Sequence, residues 1–198
     1  SHPNIVEVLS TGREGALRWI AMRLVEGEPI SRAGRLPVRQ AMEVTRKLAL
    51  ALDHAHSRGV LHRDVKPANV LIDAQGEPQL ADFGLARDLS LGTLTVRGEK
   101  LGTPAFASPE QVSGDHARVD ARSDVYSLGA TLYAMLTGRA PFEGNSAARV
   151  AEAVVRDRPA PPTARVPDLP RDVEAICLRA LEKDPAARYA SAPAHRMS

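Results

Sequence analysis

A chain of 198 residues is long enough for one ordinary domain, or for most of a larger one, and too short for two comfortable ones. Hydrophobic residues at 43% and charged residues at 25% are globular values, which exclude wholesale disorder and collagen-like or low-complexity classes. The 26 basic and 24 acidic residues leave a formal charge of +2, and aromatics make up 4%, so neither a strong field nor an aromatic-basic stripe argues for nucleic acid or a membrane surface.

The apolar and β-branched runs Ile5 to Leu9 and Leu17 to Val25, separated by Thr11-Gly12-Arg13-Glu14-Gly15, predict a β-hairpin with its turn at 11–15. Pro29 and Gly34 punctuate a short connection. Val38 to Arg58 then carries Met42, Leu48, Leu52 and Ala55 at helical spacing and stops at Gly59. Val70-Leu71-Ile72 and Gln79-Leu80-Ala81 flank Asp73-Ala74-Gln75-Gly76-Glu77, which predicts a second, shorter hairpin. Between Leu85 and Pro104 the pattern dissolves into Gly, Thr, Ser and charges, the signature of a flexible surface loop.

From Ser123 the chain turns helical again, with Val125, Leu128, Leu132 and Leu136 on one stripe and Gly138 as its cap. Further helices are predicted over 147–156 and 171–181, with a proline-rich loop at 158–162 between them. The sum is a mostly helical domain with a small β portion at its start. The lone Cys177 makes no internal disulfide or cysteine zinc site; a small buried hydrophobe in a reducing compartment is expected. No run approaches the ~18 apolar residues of a membrane span, and Ser1-His2-Pro3-Asn4 is not a signal peptide, so a soluble, cytoplasmic domain is expected. The missing initiator Met and the opening turn give the expectation of an internal piece of a longer protein.

The chemistry concentrates in His62-Arg63-Asp64-Val65-Lys66-Pro67-Ala68-Asn69 and, across the second hairpin, Asp82-Phe83-Gly84. Any one of Asp64, Lys66 or Asn69 alone reads as an ordinary loop residue making an Asx-type turn. In this order and spacing the two segments resemble the catalytic loop and metal-binding motif of protein kinases. The resemblance implies a kinase-like α+β fold: a residual N-lobe hairpin and hinge over 1–27, and a C-lobe over 28–198 with its catalytic loop at 62–69 and activation segment at 82–110. It also implies ATP and Mg²⁺ as cofactors, protein substrates, no nucleic-acid partner, and a kinase dimer for trans-autophosphorylation.

Phosphoryl transfer needs an acceptor hydroxyl aimed at the γ-phosphorus and cations spread over the phosphate oxygens. On the resemblance, Asp64 orients the hydroxyl and takes its proton, Lys66 sets an ammonium beside the transferring phosphate, and Asn69 and Asp82 offer oxygen ligands to Mg²⁺. Lys66 also marks serine/threonine kinases in this family. Met22 falls at the gatekeeper position, the backbone of Arg23 and Val25 would hold adenine, and Leu71 would pack below the ring. Ordinary core packing is an equal reading of Met22 and Leu71.

Gly102-Thr103-Pro104-Ala105-Phe106-Ala107-Ser108-Pro109-Glu110 resembles the end of a kinase activation segment, with Ser108 where Ala is commoner. There Glu110 would pair with Arg188 as a structural ion pair, and Thr103 would hydrogen-bond Asp64 and Lys66 at the substrate site. Asp124 would accept backbone hydrogen bonds from the catalytic loop; it also reads as a carboxylate favoured at a helix N-terminus. Arg63 suggests a switch in which a phosphate on Thr95 first, Thr93 second or Ser90 third orders the loop. Val8, Phe83 and His62 would contribute to the hydrophobic column between kinase lobes.

There is no G-x-G-x-x-G segment, and the first lysine, Lys47, follows the hinge. The expectation is that the piece alone has negligible kinase activity while its parent is an active bacterial-type Ser/Thr kinase. A non-catalytic kinase-like binding module is the alternative from another class. A small-molecule phosphotransferase is weaker, because Arg63, Lys66 and the long loop ending in Ser108-Pro109-Glu110 are protein-kinase features.

Overall fold

A computed structural model of the chain describes residues 1–15, 17–83 and 104–191, with Arg18 described by its backbone alone. Strand β1 (Val8–Glu14) pairs antiparallel with β2 (Leu17–Met22) as a two-stranded sheet of its own. The first hairpin therefore exists, but its turn lies later than predicted. Thr11, Gly12, Arg13 and Glu14 are strand residues, and the left-handed residue at the reversal is Gly15, with φ 59°. Gly12 is small for another reason: it faces Trp19 across the ladder, and a Cβ there would come within 2.2 Å of the indole. Ile5, expected to open the first strand, instead bridges in parallel to Leu80, with the Val6 N–H donating to Leu80 O at 3.0 Å.

A second sheet has the order β3 (Gly27–Pro29), β4 (Val70–Asp73), β5 (Pro78–Leu80), all antiparallel. The pair β4–β5 is the second predicted hairpin. Strand β3 went unpredicted because a three-residue edge strand made of Gly, Glu and Pro carries no β signal of its own.

Among the described residues five α-helices form the body: α1 (Val38–His56), α2 (Pro109–Val112), α3 (Ala121–Thr137), α4 (Ala147–Arg156) and α5 (Arg171–Ala180). In α1 the buried face runs through Ala41, Val44, Leu48, Leu52 and Ala55, the amphipathic pattern expected. In α3, by contrast, 13 of 17 residues are buried, so the single stripe expected there is a correction: this helix is covered all round. Both α1 and α5 pack on it. The hydroxyls of Ser127 and Thr131 bond back along the helix, to Ser123 O at 3.2 Å and to Ser127 O at 2.9 Å, whereas those of Tyr126 and Tyr133 are buried without a partner among the described residues.

Gly129 lets α5 approach closely, since a Cβ there would meet the Ala180 Cβ at 2.6 Å. Asp120 caps the start of α3 by accepting the Arg122 N–H at 2.7 Å, and Gly138 ends it in the left-handed conformation at φ 74°. Cys177 is fully buried against this helix, as expected of a small core hydrophobe. Among the described residues no helix is long and apolar enough to cross a membrane.

Candidate active site

The segment from His62 to Asn69 joins α1 to β4 and is pinned from below by α3. Asp124, buried in the first turn of that helix, accepts the His62 N–H at 2.8 Å on Oδ2 and the Arg63 N–H at 2.7 Å on Oδ1. His56, at the end of α1, contacts the same Oδ2 through Nε2 at 2.7 Å. One carboxylate thus ties three elements together, and the dipole of α3 favours its charge.

His62 is fully buried, and that burial lowers its pKa. Its Nδ1 accepts the Asp64 N–H at 3.2 Å, which leaves Nε2 as the donor to Ala81 O at 2.9 Å. The hydrogen-bond network therefore assigns a neutral ring with its proton on Nε2. Ala81 also donates its N–H to Asn69 O at 2.9 Å, extending the β4–β5 ladder. The two motifs that are separate in sequence are in this way stitched together next to Asp82, and Phe83 packs on His62 with ring centroids 4.4 Å apart.

Arg63 (φ 67°) and Asp82 (φ 63°) are the two non-glycine residues with left-handed backbone among those described. Such a conformation costs on the order of 1–3 kcal/mol each and persists where the surroundings over-determine it. Here the Asp124 clamp holds one and the Ala81 bonds hold the other.

Asp64 is half-exposed, and both of its side-chain contacts among the described residues fall on Oδ2: Lys66 Nζ donates at 2.7 Å and Asn69 Nδ2 at 3.0 Å. Asn69 Nδ2 also donates to Asp64 O at 2.8 Å. The Asn69 amide is thereby oriented with its nitrogen towards Asp64, so the oxygen is the atom it can present to a cation. Together with the Asp82 carboxylate this is one amide and one carboxylate oxygen. No group of three or more His, Cys, Asp or Glu side chains forms a metal cage among the described residues. A sparse set of hard oxygens fits a divalent cation that keeps waters and takes its other ligands from phosphate.

On the nucleotide side, Met22 closes β2 and is half-buried, with Val8 as its ladder partner. The Arg23 N–H is used by Glu7 O at 2.9 Å, so its backbone presents only the carbonyl, and its guanidinium bonds Gln79. Val25 is half-buried in the connection to β3. Val70 and Ile72 join the hydrophobic core, whereas Leu71 between them does not, as the alternation of a strand requires. Leu71 thus faces away from the core.

The far end of the activation segment is anchored by a buried ion pair. Arg188 Nη1 and Nη2 donate to the two oxygens of Glu110 at 2.7 and 2.9 Å, and Ser123 Oγ donates to Oε1 at 2.6 Å. The remaining guanidinium donors reach the carbonyls of Arg122, Glu182 and Lys183 at 3.0, 2.7 and 3.0 Å, so all five N–H groups are used. Burial pushes the Glu110 pKa up, but the hydrogen bonds from Arg188 and Ser123 prevail and hold it at about 2.

Gln111 is a residue the sequence reasoning missed. Its Oε1 accepts from both the N–H and the hydroxyl of Ser108 at 3.0 Å, and its Nε2 donates to Arg63 O at 2.7 Å. One side chain therefore links α2 to the catalytic loop. The signal was present as Ser108-Pro109-Glu110-Gln111, a capping-box spacing at a helix start. It also gives Ser108 a use for the hydroxyl that Ala would lack. Thr93, Thr95, Ser90 and Thr103 lie outside the described residues.

A family model described as protein kinase domain matches residues 1–197. The chain is 42% identical over 97% of its length to the serine/threonine-protein kinase PknB of Mycobacterium leprae, and 43% identical over 97% to that of Mycobacterium tuberculosis. It is 37% identical, again over 97%, to a probable serine/threonine-protein kinase of Clostridium perfringens. It spans 32%, 32% and 28% of these three relatives, about a third of their length. With the kinase motifs brought to one site on a mixed α+β scaffold and the family model covering nearly every residue, the chain belongs to the protein kinase domain family.

Proposed function

We propose that the protein carrying this chain is a serine/threonine protein kinase that moves the γ-phosphoryl group of ATP to protein hydroxyls. The observation that carries the reading is the Asp64–Lys66–Asn69 cluster, held by Asp124 and stitched to Asp82 through Asn69, Ala81 and His62. Residues 1–27 serve as the N-lobe hairpin and hinge, and 28–198 as the C-lobe. Relatives named as serine/threonine-protein kinases support the acceptor class.

Asp64 orients the acceptor hydroxyl and takes its proton as the oxygen attacks phosphorus. Lys66, 2.7 Å from Asp64, neutralises charge developing on the transferring group and fixes the carboxylate's rotamer. Asn69 and Asp82 would hold Mg²⁺, which supplies charge neutralisation on the phosphate oxygens. Met22, Leu71 and the backbone of Arg23 and Val25 bind the adenine. Thr103 supports the substrate site, and Arg63 receives a phosphate placed on Thr95 or Thr93 by a second copy of the kinase. With ATP as donor, the domain works in the cytoplasm.

The test is phosphoryl transfer by the full-length protein to itself and to a generic protein substrate, read by mass spectrometry as phosphoserine and phosphothreonine. Asp64→Asn is expected to lower kcat by roughly 10²–10⁴ while leaving nucleotide affinity within a few-fold. An Asp64→Asn protein with wild-type turnover would remove Asp64 from the chemistry.

A further inference from the structure

Resting on the kinase reading, we propose that Gln79 is a positioning residue for the nucleotide: it grips the Arg23 side chain and so fixes the direction of the Arg23 carbonyl. Arg23 can bond through its N–H, its guanidinium and its carbonyl. The N–H donates to Glu7 O at 2.9 Å, and the guanidinium donates to Gln79 Oε1. Among the described residues the carbonyl is left to face a ligand. Gln79 is buried in β5, at 6% exposure, and its amide is used at both ends, because Nε2 donates to Asp73 Oδ2 at 3.0 Å. A cation on one side and a carboxylate on the other fix which way the amide points, since a flipped amide would set donor against donor and oxygen against oxygen. Asp73 is held in turn: its Oδ1 accepts the N–H groups of Gln75 and Glu77 at 3.0 and 2.8 Å in the β4–β5 turn. The series Arg23–Gln79–Asp73 therefore ends on backbone rather than on a mobile group.

The place of Gln79 in the sheet ties this series to the nucleotide side. Gln79 is the ladder partner of Leu71, and Asp73 lies two residues further along the same strand, so all three share one face of β4–β5. The side chain proposed to bind adenine and the side chain that grips Arg23 are thus cross-strand neighbours. Strand β5 also carries the backbone of this region, with the Leu80 N–H donating to Asn4 O at 2.9 Å and the Val6 N–H to Leu80 O at 3.0 Å, one residue before Glu7. Arg23 is therefore fixed to β5 twice, through the 4–7 backbone and through Gln79, and a substitution can cut the second link alone. A carbonyl accepts from the exocyclic amine of adenine and repels the oxygen that guanine carries in its place. Its direction sets both the affinity for ATP and the rejection of GTP.

The experiment measures kcat and KM for ATP and for GTP with the full-length protein at a saturating concentration of a generic protein substrate. Gln79→Leu keeps the bulk and removes both amide bonds. It should raise KM for ATP about 5- to 20-fold with a smaller change in kcat, and lower the preference for ATP over GTP in kcat/KM about 5-fold or more. Arg23→Ala cuts the same link from an exposed position and should reproduce both effects, which keeps the test open if Gln79→Leu fails to fold. The double variant should be no worse than the worse single one, because the two side chains act as one link. An unchanged KM for ATP in folded Arg23→Ala, additive losses in the double variant, an unchanged nucleotide preference, or a loss confined to kcat would each overturn the positioning role while leaving the kinase reading in place. Absence of phosphoryl transfer by the wild-type protein from either nucleotide would remove both.

Discussion

The helical body and the β1–β2 hairpin treat their apolar residues in opposite ways. In the body, Leu132, Tyr133 and Leu136 of α3 are at most 1% exposed. In and just after the hairpin, Leu17 is 75% exposed, Trp19 46% and Leu24 81%. Apolar area that stays in water adds nothing to folding, so the hairpin is held by its own ladder and by backbone links such as Arg23 N–H to Glu7 O. Stability is therefore concentrated in the body, and so is the proposed site, because Asp64, Lys66, Asn69 and Asp82 all lie on segments fastened to α3 or to β4–β5.

The comparison breaks if losing a buried contact in the body costs no more than losing an exposed one in the hairpin. Arg188→Ala leaves Glu110 charged and buried with Ser123 Oγ as its remaining side-chain donor, and strands the carbonyls of Arg122, Glu182 and Lys183. It should lower the unfolding free energy by about 3–5 kcal/mol in urea titrations. A loss below about 1 kcal/mol would show that the activation-segment anchor is incidental to the body.

The same anchor sets acid sensitivity. Glu110 ionises at about 2 in the fold against 4.5 in the unfolded chain, so its contribution is complete above pH 4.5 and is lost as the pH falls towards 2. The shift corresponds to roughly 3 kcal/mol. His62 adds an earlier phase: burial lowers its pKa below 6.5, so beneath that pH the unfolded chain binds a proton more readily than the folded one and stability declines. Unfolding free energies measured from pH 7 to 2.5 should fall in these two steps, and Glu110→Gln should shrink the lower one, to which Glu43, Asp73 and Glu174 also contribute. A single step confined to pH above 5 would contradict the assignment of Glu110.

Gln111→Ala removes the link from α2 to Arg63 O and should cost about 1–2 kcal/mol, with faster amide exchange at Arg63 and Ser108. Unaltered exchange at Arg63 would mean that the Asp124 clamp alone fixes the loop. At the small end, Leu24→Ser should change stability by no more than ~0.5 kcal/mol, since it removes an already solvated side chain. A cost above about 1 kcal/mol would erase the distinction between hairpin and body.

Much of this was legible before the fold was known. The Val38 start of α1, both ends of α4, the Gly138 cap and the β4–β5 hairpin follow from local periodicity and caps, and the motifs at 62–69 and 82–84 stand in kinase order and spacing. The Glu110–Arg188 pair and the Asp124 clamp followed from the resemblance, and their geometry agrees. Other features were not legible. The Ile5–Leu80 bridge joins segments far apart in the chain, β3 is a strand only because β4 lies beside it, and the misplaced turn at 11–15 came from reading Gly12 as conformational when Trp19 covers it.

The amino-acid sequence by itself determined the kinase motifs and the limits of several helices, because both depend on residue type and near-neighbour spacing. Only the tertiary structure decided that α3 is buried on every side and that Gln111 reaches the catalytic loop. Each of these depends on which surfaces meet, and a periodic pattern shows that a face must be covered without showing what covers it.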